Sequence, residues 1–335
     1  MGNASRYRTS DIEQLGSERG AALLLVLWVG MFFSIVLTAF AFSMRTELDA
    51  ARNFREGAEA SMLSKAGIAR ALADLVNART KTGVTSAPFR PSSSGPVRLG
   101  RGTYRVIVTD EESRISLNRA RAEVLRRLLR NTGVSDVHLV DTIVDSILDW
   151  RDQDDLHRLS GAEAAYYRAL PVPYYPKNGP FEVVEEVLLV KGMTREIFYG
   201  NVRDPGRLAA LRNRSPEERD FRSGEYLGIR PFLTVHSSGQ VDPNTASLDV
   251  LVAAGLRGPQ AQEILRSRRS APISGRLPHA SGGVQWTRTP HAYRIESIGR
   301  VNASPIVSRI VATVVKEGTA RRPRFRVVAW HEGLG

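Results

Sequence analysis

Residues 21–43 read AALLLVLWVGMFFSIVLTAFAFS. At about 23 positions without a charge, the run is long enough to cross a bilayer's hydrocarbon core as a helix. Glu18, Arg19 and Gly20 stand directly before it. Directly after it the chain turns charged, MRTELDAARNFRE, with no turn residue before Gly57. One helix is therefore expected to begin in a membrane and continue beyond it. Arg6, Arg8 and Arg19 precede the span, which keeps the N-terminus cytoplasmic and sends the C-terminal bulk out. A secretory signal is the poorer reading, because its apolar region is only about 7–15 residues long. An ordinary membrane anchor remains an alternative.

The chain has 335 residues, 42% of them hydrophobic, so the part C-terminal to the span can form two domains or one domain with a large insertion. Its net charge of +12 comes from 47 Lys and Arg against 35 Asp and Glu. The excess is mostly arginine spread along the whole chain, which points to general basicity rather than to one anion-binding patch. The absence of cysteine excludes disulfides, thiolate zinc sites and Cys nucleophiles. No HExxH, G-x-S-x-G or P-loop pattern occurs, and no enzyme is expected.

Beyond the span, Leu48, Ala51, Ala58, Met62, Ala69, Leu72 and Val76 recur at helical spacing and predict one packed stripe. Gly57 and Gly67 weaken that helix. Ser86 to Gly102 is a Pro/Gly/Ser linker, and Thr103 to Asp110 alternates as a strand. Short helices come next. Asn118 is expected to cap the first, through Val124 and Leu129, and Val137 to Trp150 forms the second. Pro205 to Arg230 is polar and expected as loop, and Pro231 to His236 as a strand. Ile115, Asn118, Ala120, Val124 and Leu125 have counterparts in Val241, Asn244, Ala246, Val250 and Leu251, a two-copy repeat. Ser270 to Thr289 reads as a long loop, and residues 292–300, 306–316 and 324–330 as strands.

The segment DWRDQDD at residues 149–155 carries four carboxylates, and Asp152 and Asp154 have the D-x-D spacing that aims two side chains at one hard cation. Glu163 lies close enough to complete the shell. The spacing is not that of an EF-hand, and a solvated acidic loop balanced by Arg151 and Arg158 is the alternative. Two Gly-containing turns, Val190-Lys191-Gly192-Met193 and Ala254-Gly255-Leu256-Arg257-Gly258-Pro259, are similar to helix-hairpin-helix modules, which hold DNA phosphates on backbone amides. A membrane-anchored DNA-binding or uptake receptor is therefore the rival reading, although Pro259 removes one donor amide.

The charged leader ending in Gly20, followed by the apolar helix, resembles a type IV prepilin-like signal. With TELDAARNFRE (46–56), SILDWRDQDD (146–155), GAEAAYY (161–167), YPKNGPFEVVEEVLLVKGM (175–193), VDPNTASLDVL (241–251) and YRIESIG (293–299), the chain resembles the type II secretion minor pseudopilin K family. That resemblance implies cleavage between Gly20 and Ala21 by the prepilin peptidase and N-methylation of Ala21. The fifth mature position, normally Glu, is Leu25 here, which suits a subunit with no neighbour above it, at a filament tip. The resemblance further implies assembly with minor pseudopilins I and J, residence in the inner membrane with a periplasmic bulk, no nucleic acid partner, and calcium in the inserted region. After Glu163 the family is usually more acidic than the Ala164-Ala165 found here, which implies a weaker site or other ligands.

The expected fold is α+β: a pilin-like N-terminal helix packed on an antiparallel sheet with an inserted α-helical domain. The expected divisions are a leader at 1–20, a transmembrane half-helix at 21–43, and a periplasmic helix, linker and first strand at 44–110. The inserted helical domain is expected at 111–230, and the remaining sheet at 231–335 with a short helical unit near 244–268.

Overall fold

A computed structural model describes residues 10–82, 92–273, 284–319 and 322–334. The first part of the expected leader (1–9), the start of the linker, and residues 274–283 of the late loop lie outside them. Helix α1 spans Ser10–Thr82, without a break at Gly57 or Gly67. Contacts divide the chain into a unit ending at Glu59 and a unit from Ala60 onward. In the first unit the apolar residues from Leu23 to Phe42 are exposed, and the helix is long and apolar enough to cross a membrane.

In the second unit, β1 (Ser92–Ser93), β2 (Val97–Leu99) and β3 (Gly102–Asp110) precede a helical insertion. β4 (Ile115–Ser116), α2 (Ala122–Asn131), α3 (Val137–Arg151), α4 (Ala164–Arg168), α5 (Arg195–Tyr199), α6 (Pro205–Asn213), β5 (Leu233–Thr234), α7 (Leu248–Ala253) and α8 (Gly258–Ser270) make up that insertion. The chain then returns as β6 (Ala292–Val301), β7 (Val307–Thr319) and β8 (Arg322–Leu334). β3, β6, β7 and β8 form an antiparallel sheet in that order, and β1 and β2 pair with the free side of β3. The fold is α+β, as expected.

Pleating puts alternate residues on one face. Tyr104, Val106, Val108, Tyr293, Ile295, Ile310 and Val314 are buried together against Ala60, Leu63, Ile68 and Ala71 of α1. Each such aliphatic side chain contributes about 1.5–3 kcal/mol. The helix seam is only partly the one predicted: Leu72 packs against this core and Val76 is half-buried, but Leu48, Ala51, Ala58, Met62 and Ala69 are exposed. Gly67 lies on the true seam, where a Cβ would collide with Ser297, Tyr104 and Val106. Its role is close approach rather than local weakening.

The insertion runs from residue 111 to 291, beyond the expected limit at 230. Pro231 to His236 had suggested a return to the sheet, but β5 pairs in parallel with β4 in a separate two-stranded sheet. Its Leu233, together with Val241, Val250, Leu251 and Ile264, joins one core with Ile115, Val124, Ile143 and Ile147. The stretch 205–230, expected as loop, contains α6, started by Asp204, whose carboxylate accepts from Gly206 N at 2.9 Å.

The repeat is structural. Asn118 does not cap α2. It brackets Phe181, accepting from its N at 2.7 Å and donating to its carbonyl at 3.0 Å. Asn244 does the same to Ile273, at 2.7 and 3.4 Å. Arg151 donates to the carbonyls of Leu117 and Ala120, and Arg268 donates to those of Pro243 and Ala246, the matching positions.

A buried carboxylate cluster joins insertion and sheet. Glu112 accepts from Ser238 N (3.0 Å), His291 N (3.2 Å) and Ala292 N (3.4 Å). Asp110 accepts from Glu112 N and from the Thr245 hydroxyl. Burial, then the charges of Glu112 and Asp242, push the Asp110 carboxyl up to about 9. Burial raises Asp242 as well. Folding thus holds a proton on Asp110 that the unfolded chain has already released above about pH 4, so stability falls as pH rises from there toward 9. Asp110→Asn is expected to gain stability over the parent at pH 8 and to keep only a smaller part of that gain at pH 5. Urea midpoints at the two pH values check this, and an equal offset at both would sink it.

Candidate functional site

Helix α3 starts at Asp136, whose carboxylate accepts from His138 N at 2.9 Å. It buries Val140, Ile143, Val144, Ile147 and Trp150. One helical turn apart, Asp145 and Asp149 share a side of it. Asp145 accepts from Ser160 N at 3.2 Å. Asp149, fully buried, accepts from Arg158 N at 3.1 Å and Ala162 N at 2.9 Å. These bonds hold residues 158–162 against the end of α3. Trp150 forms the floor, with Tyr167, Tyr174 and Phe181 at ring distances of 5.4, 6.4 and 6.3 Å.

Asp152 and Glu163 come to one place on this platform. Asp152 Oδ2 pairs with Arg158 at 2.7 Å, while its Oδ1 is buried without a hydrogen-bond partner. Glu163 is 5% exposed and neither of its oxygens has a partner. Burial first, then Asp149 and Asp152, and then Asp155 and Asp154, push its carboxyl up to about 7. Asp154 is turned aside, accepting from Leu156 N at 2.9 Å. Asn178, which sequence reasoning missed, has a left-handed φ of 46° and donates to Asp155 at 2.9 Å. Its own Oδ1 is buried and unpartnered. The signal for it was the Asn-Gly pair in YPKNGP, since Asn tolerates that conformation.

Among the described residues no three His, Asp or Glu already stand in metal-binding geometry. The chemistry of the donors nevertheless fits a hard cation: oxygens from Asp152, Glu163 and Asn178, buried and unsatisfied. Of the two predicted basic neighbours, Arg158 belongs to the site. Arg151 does not, being spent on the carbonyls of Leu117 and Ala120, and burial lowers it to about 10.

Both phosphate-like turns are engaged within the chain. Gly192 packs on Leu139, Thr142 and Ile143 of α3, and Lys191 Nζ donates to Gly161 O at 3.0 Å. At the start of α8, Gly258 N donates to the Glu217 carboxylate at 3.1 Å, so an internal anion already takes that position. Gly20 and Ala21 lie within α1, and Leu25 is exposed.

This platform and the end of β3 fall inside one family match. Residues 106–199 match the family Type II secretion system (T2SS), protein K. The resemblance carried by SILDWRDQDD and GAEAAYY is borne out. A type II secretion system protein K of Pectobacterium carotovorum subsp. carotovorum is 33% identical over 89 residues. The match covers 27% of this chain and 27% of that relative. The GspK-GspI-GspJ complex of the enterotoxigenic Escherichia coli Type 2 Secretion System contains a chain of similar fold. The likeness has a TM-score of 0.53 at 16% identity and covers 87% of this chain and 99% of that one. The matched segment thus covers the end of the strand that enters the insertion and the whole acidic platform.

Proposed function

We propose that the chain is a minor pseudopilin at the tip of a type II secretion pseudopilus, where it initiates assembly for export of folded proteins from the periplasm. The observation that carries this reading is the protein K segment inserted between β3 and β6 of a sheet covered by an N-terminal helix with an apolar, exposed span. The work is assembly, not catalysis. The inner membrane holds the span, the prepilin peptidase cuts between Gly20 and Ala21, and the new amine at Ala21 is methylated. Minor pseudopilins I and J, which accompany K in the solved complex, are its partners, with the pseudopilus below them.

Leu25 supports the tip position. A carboxylate within the bilayer costs at least about 2.5 kcal/mol unless paired, and a subunit without one recruits no pairing amine from above. Calcium belongs to this reading as a structural ion. Asp152, Glu163 and Asn178 would hold it, with Asp154 as the remaining candidate from the loop. Bound there, it would supply positive charge to neutralise the carboxylates of Asp152, at the end of α3, and Glu163.

Intact-mass analysis of the chain purified from membranes tests the reading. The expected mass lacks residues 1–20 and carries one methyl. An uncut chain in cells with an active prepilin peptidase would overturn it.

A further inference from the structure

Arg158 bridges two carboxylates of the platform, Asp149 and Asp152, while Arg126 pairs with Asp145 farther back along α3. The Nη1 of Arg158 lies 2.5 Å from Asp149 Oδ1 and 2.7 Å from Asp152 Oδ2, so a single nitrogen bridges the two acids. Asp149 does not depend on it, since the amides of Arg158 and Ala162 remain on that carboxylate. Among the described residues Asp152 has no other hydrogen-bond partner: one oxygen is on Arg158 and the other is orphaned. The Arg158 side chain is 41% exposed and sits on a loop, so its guanidinium can swing to water with little loss of packing. Glu163 and Asn178, by contrast, are left with buried unpaired oxygens that Arg158 does not reach. The cluster is therefore only partly neutralised by its own arginine.

We infer that Arg158 is an internal counter-ion that holds Asp152 in the metal-free protein, and that a divalent cation binds by displacing it. This rests on the calcium reading of the same site. Arg158 thus sets the affinity of the site, keeping the metal-free platform folded at the cost of weakening the ion. A cation that takes Asp152, Glu163 and the Asn178 carbonyl oxygen satisfies the orphaned atoms and leaves Asp149 on its two amides. The guanidinium goes to solvent.

The test is Ca²⁺ titration of the full chain in detergent, read by calorimetry and by melting with Ca²⁺ or with chelator. Arg158→Gln is expected to bind Ca²⁺ about tenfold tighter or more than the parent and to melt lower than the parent in chelator. Arg158→Lys, which keeps the charge but loses the planar fork, falls between them. Arg168→Gln removes the same charge from the same region, where Arg168 lies over the Tyr175 ring, and is expected to match the parent. Equal Ca²⁺ affinity in the parent, Arg158→Gln and Arg158→Lys would overturn the displacement while leaving calcium in place. Equal tightening in Arg168→Gln would reduce it to general electrostatics. No binding by any form would remove the calcium reading and the displacement together.

Discussion

Arg219→Ala is expected to destabilise the helical insertion by about 3–5 kcal/mol, the cost of leaving one partner of a buried ion pair alone. The Arg219 side chain is fully buried and the Asp249 side chain only 9% exposed. The guanidinium grips both oxygens of Asp249, one through Nη1 and the other at 3.1 Å through Nη2. It also donates to Leu211 O at 2.7 Å and Asn131 O at 2.9 Å. One side chain therefore ties together the C-terminal ends of α2 and α6 and the first turn of α7. Helix ends leave carbonyls without intrahelical partners, and alanine strips Asn131 and Leu211 of theirs. It also strands the Asp249 charge in the interior. For a domain of this size the melting transition drops by roughly 10 °C. The double variant Arg219→Met/Asp249→Leu restores much of the loss, because an apolar pair of similar volume avoids the uncompensated charge. A single variant within about 1 kcal/mol of the parent would show that water replaces the pair, contrary to its burial.

Gly299→Val is expected to lift α1 from the sheet. Gly299 sits on β6 beneath the helix, where a Cβ would press on Ala60 O and come within 2.7 Å of Ser64 N. These are backbone atoms of a continuous helix and cannot rotate away. Overpacking of a well-filled core costs typically 1–3 kcal/mol, and a rigid obstacle puts this variant at about 3 kcal/mol. The Ser64 hydroxyl, which reaches across to Ser308 O at 2.8 Å, loses its partner when the helix moves. Faster proteolysis within residues 60–76 and a lower melting point report the change. Gly333→Val is the control, since nothing lies within 4 Å of its added carbon. If both variants melted alike, the tight contact between helix and sheet would not be a determinant of stability.

The strands were readable because alternation follows directly from the pleat. Tyr104, Val106 and Val108 alternate in the sequence and are buried together in the sheet. The helix seam was only partly readable from apolar spacing. The buried face of α1 mixes small residues, Ala60, Ser64, Gly67 and Ala71, with Leu63 and Ile68, whereas Met62 is 66% exposed. At Gly67 and Gly299 helix and sheet approach with no side chain between them, a contact that apolar spacing does not register. At the platform, Asp152 and Glu163 were readable as acids near one another in the chain. Asp154 was not separable from them, because its engagement with Leu156 N depends on how the loop turns. Asn178 was hidden by its neutrality and its distance along the chain. The limit of the insertion at residue 291 was hidden by β5, whose strand partner lies inside the insertion.

The doubled unit bears on what the acidic platform costs the fold. In the first copy the backbone leaves Arg151, traverses the acidic platform and returns to the Asn118 bracket at Phe181. In the second it passes almost directly from Arg268 to the Asn244 bracket at Ile273. The two brackets close in the same way over excursions of very different length. Residues 152–180 are thus an excursion between two closed ends of the frame, and its Ala162 and Tyr167 pack back into the frame's core. Loop-closure entropy grows only slowly with length, so the longer excursion costs little more to close than the short one, and the burial of Ala162 and Tyr167 offsets that cost. The bracketing asparagines and arginines close the frame in both copies, and the acidic platform is what the first copy adds between them.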